Sequence, residues 1–177
     1  MSTGLRMLLT SCLLLSLTSS RPAAQSATLN RELLKDWTEM KATMMALANE
    51  MPESAYAFKA TPSQRDFAQQ VLHVAQANVV NLRFLGGATL PPTIDRASRT
   101  KADVMKAMAD SFDYGTALIT AQTDASLLDI VSTNQFLGPS SRARVIYFLL
   151  GHAWDIYGQM VVYLRLNGGV PPASQRP

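Results

Sequence analysis

With 177 residues, 47% of them hydrophobic and 16% charged, the chain carries enough apolar material for one sizeable core and is too short for two ordinary domains. The formal charge of +3 falls to +1 when Arg6 and Arg21 leave with a predicted leader, because Lys+Arg drops from 16 to 14 against 13 acidic residues. A near-neutral chain without a basic patch and interleaved aromatics argues against nucleic-acid binding, and a single cysteine excludes a disulfide scaffold.

The first element in chain order is that leader. Met1 to Arg6 ends on a basic residue, Met7 to Leu17 is a short apolar run, and small and polar residues follow through Ala24. This is the layout of a secretory signal peptide over residues 1–24, with cleavage at Ala24 or Ala27, and the run is too short to span a bilayer. Leu9-Thr10-Ser11-Cys12 also resembles a lipoprotein box, which makes lipidation at Cys12 the alternative. An exported protein, periplasmic or extracellular and free of the membrane after cleavage, is the expectation. Loss of Cys12 leaves neither a thiol nucleophile nor a thiolate zinc ligand.

Four helices are predicted in the remaining domain, residues 28–172, before a short tail at 173–177. Leu33, Trp37, Met40, Met44 and Leu47 recur at helical spacing over Leu29 to Glu50, and Met51-Pro52 closes that segment. Thr61-Pro62 supplies a hydroxyl cap and a first-turn proline, which predicts a second helix from there to about Leu85, stopped by Gly86-Gly87. Ser98 or Thr100 caps a third over about Lys101 to Thr123, with Val104, Met105, Met108, Phe112, Leu118 and Ile119 on its apolar face. Residues 124–140 carry apolar runs too brief to specify an element, so packed irregular chain is expected. Gly138-Pro139-Ser140-Ser141 opens the fourth helix, which runs to about Leu166 and ends at Asn167-Gly168-Gly169. Its nearly all-round apolar character from Val145 onward predicts the most buried helix of the set. The fold class is therefore all-α, a four-helix bundle; periodicity leaves its connectivity open.

The chain has two histidines, His73 and His152, each inside a different predicted helix. Facing helices of a bundle commonly present imidazoles to a metal, and neutral imidazole suits zinc, nickel, iron or copper. Asp155 and Ile156 follow His152 by three and four residues and share its side of the helix. Asp155 is a candidate third ligand, or an acceptor that orients an imidazole N–H. An aspartate paired at the bundle rim is the plainer alternative.

The segment Gly151-His152-Ala153-Trp154-Asp155-Ile156-Tyr157-Gly158-Gln159, continued by Val161-Val162-Tyr163-Leu164-Arg165 and the glycine-proline exit at 168–172, resembles the C-terminal signature of the DinB-like superfamily. In that family the helix typically reads His-x-x-x-His followed by Gly-Gln, and His73 matches the place of a further histidine. The resemblance implies a four-helix bundle of up-down-down-up order and a site for a divalent metal held by three histidines. Ile156 stands where the second histidine of the pair belongs, so the transfer yields His73 and His152 with Asp155 as the only nearby carboxylate. The expected function is thus a bundle that binds a divalent metal, zinc or nickel, or a small molecule, with a structural or homodimeric role as a further expectation. The alternative is a metal-dependent transferase or hydrolase acting on a small molecule.

Overall fold

The computed structural model describes residues 28–175; the predicted signal segment, its cleavage point and Cys12 lie outside the described residues. Helix α1 spans Leu29–Glu50, with the Thr28 hydroxyl accepting the Arg31 backbone N–H at 3.3 Å. Helix α2 spans Phe67–Leu82 and α3 spans Lys101–Thr120. A single turn, α4, covers Asp124–Leu127, and α5 covers Arg142–Leu166.

Direct contacts fix the order up-down-down-up. Trp37 of α1 meets Phe112 of α3, whereas the start of α1 meets the end of α3 through Asn30 Nδ2 and the Ile119 carbonyl, so these two helices are antiparallel. Asn78 of α2 donates to Ser111 of α3, and farther along Gln122 Nε2 donates to the Leu85 carbonyl, so α2 and α3 run parallel. Tyr163 at the end of α5 reaches Arg65 before α2, and Arg142 at its start reaches Leu85 after α2, which makes that pair antiparallel. Parallel neighbours require a crossover, and residues 86–100 provide it by returning along the bundle to the start of α3.

The apolar stripe of α1 is the core stripe its spacing predicts: Leu33, Trp37, Met40, Met44 and Leu47 are all buried. Trp37 packs at 4.9 Å from the Phe112 ring, and its Nε1 donates to the Phe112 carbonyl at 2.9 Å. This close approach depends on Gly115, where a Cβ would lie 2.3 Å from the indole. At the end of α5, Gly168 takes φ 77°, and the Gly168 and Gly169 N–H groups donate to the Arg165 and Leu164 carbonyls. Those bonds satisfy two otherwise orphaned carbonyls.

Three sequence expectations are corrected. Helix α2 begins at Phe67, six residues after Thr61, because Asp66 and Gln69 form a reciprocal capping box that outcompetes the Thr61-Pro62 signal. Residues 124–140 are not wholly irregular: besides α4, Ile130–Val131 (β1) pairs antiparallel with Ser140–Ser141 (β2). Helix α2 is the most enclosed, with ten of its sixteen residues buried against nine of twenty-five in α5. Tyr147, Trp154, Val162 and Leu166 of α5 face outward, Trp154 at 54% exposure. Apolar composition all round therefore reflects an exposed apolar strip on α5 rather than enclosure. Among the described residues no helix is long and apolar enough to cross a membrane.

Candidate functional site

The start of α2 is held firmly. The Asp66 carboxylate accepts the Gln69 backbone N–H at 2.7 Å, the Gln69 side chain accepts the Asp66 backbone N–H at 2.9 Å, and the Tyr163 hydroxyl donates to the Arg65 carbonyl at 2.6 Å. Two turns farther on, α2 presents His73 to the middle of α5, where His152 meets it. The two Nε2 atoms are 3.0 Å apart and the ring planes cross at 68°. At that distance one imidazole donates its N–H and the other accepts.

Burial pushes both imidazoles down from their ordinary value. In His73 the pKa reaches about 4, first through burial and then through the positive charges of Arg65, His152 and Arg96, with Asp155 opposing. In His152 burial likewise leads, Asp155 opposes it and Arg65 reinforces it. The neutral pair is therefore the resting form at neutral pH.

Ile156 sits one turn after His152 and is buried at 2% exposure, an apolar wall in the position the resemblance reserves for a histidine. Asp155 is on the exposed side of α5, where its Oδ2 accepts from Gln159 Nε2 at 3.3 Å. Gln159 in turn accepts from the buried Gln70 at 2.8 Å, linking α5 back to α2. Among the described residues no three His, Cys, Asp or Glu side chains are grouped to hold an ion. Tetrahedral zinc with bonds of about 2.0–2.1 Å would set two ligating nitrogens about 3.3 Å apart. The observed separation is shorter and has the length of a direct hydrogen bond. A ligating histidine also normally hands its second ring nitrogen to an acceptor. Here His152 Nδ1 is buried without a partner among the described residues. This donor set does not fit the three-histidine centre that the resemblance implies.

Each histidine borders a cavity of its own. Beside His73 lies one of about 560 Å³, lined by Arg65, Gln69, Leu72, Arg96 and Arg99 among others. Beside His152 lies one of about 590 Å³, walled by Phe136, Leu137, Tyr147 and Phe148 with Arg144 and Asp155 at its edge. The Phe148 ring is roughly parallel to His152, at 26° and 6.3 Å between centroids. The site thus joins a cationic chamber to an aromatic one at the imidazole contact.

Sequence reasoning missed the arginines and the aromatic wall. Arg65 lies one residue before the Asp66 cap, outside α2, so helical spacing does not place it beside His73. Arg96, Arg99 and Phe136 belong to connections, where no periodicity announces a neighbour.

Residues 36–160, which contain both histidines, match the family model of the DinB superfamily. Among solved structures, the chain is similar to a DinB-like protein from Bacillus cereus, with 16% identity and a TM-score of 0.71 over 80% of this chain and 95% of that one. It is also similar to a conserved protein from Enterococcus faecalis, with 12% identity and a TM-score of 0.61 over 80% of this chain and 98% of that one. At such identities these likenesses bear on the fold. No curated protein matches the chain.

Proposed function

The chain belongs to the DinB superfamily, and from that premise we propose that it is a small-ligand-binding bundle built around the His73–His152 pair, with zinc or nickel held there only weakly. The observation that carries this reading is the Nε2 to Nε2 contact of 3.0 Å beside a buried Ile156. Two neutral imidazoles joined at their Nε2 atoms offer a ligand a polar floor, and an ion would have to break that hydrogen bond to gain only two protein ligands. The adjoining aromatic cavity supplies the apolar wall common in small-molecule sites.

The convergence of both Nε2 atoms on one point is also what favours the second reading, a metal-dependent transferase or hydrolase. Metal content of protein purified without chelator, measured for the wild type, His73→Ala and His152→Ala, decides between them. The first reading expects far less than one ion per chain in all three. One ion per chain, lost in both variants, overturns it. Export is part of the same proposal and is supported by the basic, apolar and small-residue order of residues 1–24.

A further inference from the structure

We propose that the cavity beside His73 is a binding site for a small oxyanion, the carboxylate or phosphoryl group of a small molecule, clasped between Arg65 and Arg96. Three guanidinium side chains, Arg65, Arg96 and Arg99, line this one cavity, and among the described residues no carboxylate lines it. The two acids adjacent in sequence to Arg65 and Arg96 are already engaged, and Asp155, whose charge also reaches His73, accepts from Gln159. Asp66 takes the Arg99 Nε at 3.2 Å while capping α2. Asp95, adjacent to Arg96, accepts the Ala97 N–H and the Ser98 hydroxyl, both at 2.9 Å, within its own turn. Arg65 and Arg96 form no ion pair among the described residues. Two guanidiniums without an ion-pair partner on one cavity give it a net positive lining, and an anion placed between them is attracted by both.

The surroundings are arranged for such a guest. The Arg65 backbone is held by Tyr163, and the Arg96 carbonyl is held by Arg99 Nη1 at 3.1 Å, so both side chains project from restrained positions. Gln69 has its amide oxygen committed to the α2 cap, which leaves its N–H2 as the group it can offer. Guanidinium forks match carboxylate and phosphate oxygens in pairs, a geometry no neutral ligand exploits as well. A volume of about 560 Å³ lies in the range of small-molecule sites. The inference rests on reading the histidine pair as a ligand site, because it lays the body of the guest against His73.

The test is a titration of the whole protein with inorganic phosphate, acetate or succinate at constant ionic strength, with sodium chloride as the blank. The His73 and His152 ring C–H resonances are followed by NMR. A saturable change centred on His73 is expected for phosphate or for the carboxylates, and which of them produces it identifies the group. Affinity should weaken roughly ten-fold or more in Arg65→Gln and Arg96→Gln, and less in Arg96→Lys. It should be unchanged in Arg31→Gln, which removes the same charge from the exposed start of α1. Because Arg65 and Arg96 are exposed, their variants should melt like the wild type. No response beyond chloride, or an equal loss in Arg31→Gln, overturns the site. The two readings fail separately: one zinc per chain lost in His152→Ala defeats the weak-metal reading while anion binding in that variant persists. Absent anion binding with metal content as expected defeats only the oxyanion site.

Discussion

Between the Nε2 atoms of His73 and His152, 3.0 Å apart, there is room for one proton and no more. A second proton there makes one imidazole a cation and aims its N–H at the other N–H, inside a partly buried site already bordered by arginines. In the unfolded chain both imidazoles titrate near 6.5, whereas in the fold His73 is pushed down to about 4 and His152 is also lowered. The unfolded state therefore binds more protons between those values, and stability rises with pH across that window. Stability is expected to be fully present above pH 6.5 and to decline toward pH 4. Urea melts at several pH values check this, and His73→Gln should flatten the profile. A variant that keeps the wild-type slope would show that other groups set it.

Ile156→His restores the residue that the family signature places one turn after His152. With three imidazoles near one point, added zinc or nickel should raise the melting temperature of the variant and leave the wild type nearly unmoved, since an ion that binds only the native state stabilises it. Affinity measured by calorimetry should increase by at least about ten-fold. The substitution itself should lower metal-free stability, because a polar ring replaces a side chain at 2% exposure. No gain in affinity would mean that position 156 does not point at the histidine pair.

Gly115→Ala tests the core independently of the site. The new methyl would sit 2.3 Å from Trp37 Cζ2 and 2.8 Å from its Nε1. The indole is fully buried and tied to the Phe112 carbonyl, so it has nowhere to retreat. Overpacking of this kind costs about 1–3 kcal/mol. A smaller loss is expected when the same change is made in a Trp37→Phe background, and a double-mutant cycle on denaturation midpoints measures the coupling.

Asp66 joins two functions that substitutions separate. Asp66→Asn keeps a good helix cap and removes the charge facing Arg99, while Asp66→Ala removes both. The alanine variant should lose about 1 kcal/mol more than the asparagine variant in chemical denaturation. Equal losses would mean that the charge pairing, and not the cap, dominates at this position.

The four long helices were legible because their signals are local. Leu33 through Leu47 repeat at helical spacing, Thr100 and Ser141 are hydroxyl caps, and Gly168 follows the last turn of α5. The start of α2 was misplaced because two capping signals, Thr61-Pro62 and Asp66 with Gln69, compete within a few residues, and the reciprocal pair of side-chain bonds is the stronger. His73 and His152 stood out by scarcity, but their contact is a property of two helices brought together from 79 positions apart. Asp155 and Gln159 bond across an i,i+4 step that the sequence does show, but the arginine cluster depends on a loop and leaves no periodic trace.

The parallel course of α2 and α3 has one more effect. Joined by a tight turn, the second and third helices would run in opposite directions, and the connection would finish at the far end of the bundle from Arg65. Because residues 86–100 must instead travel back along the helices, they deliver Arg96 and Arg99 to the start of α2. The charge of that chamber is thus inherited from how the chain is wired. A rearranged gene encoding the same helices in another order would preserve the packing of the core and still lack the chamber's positive wall.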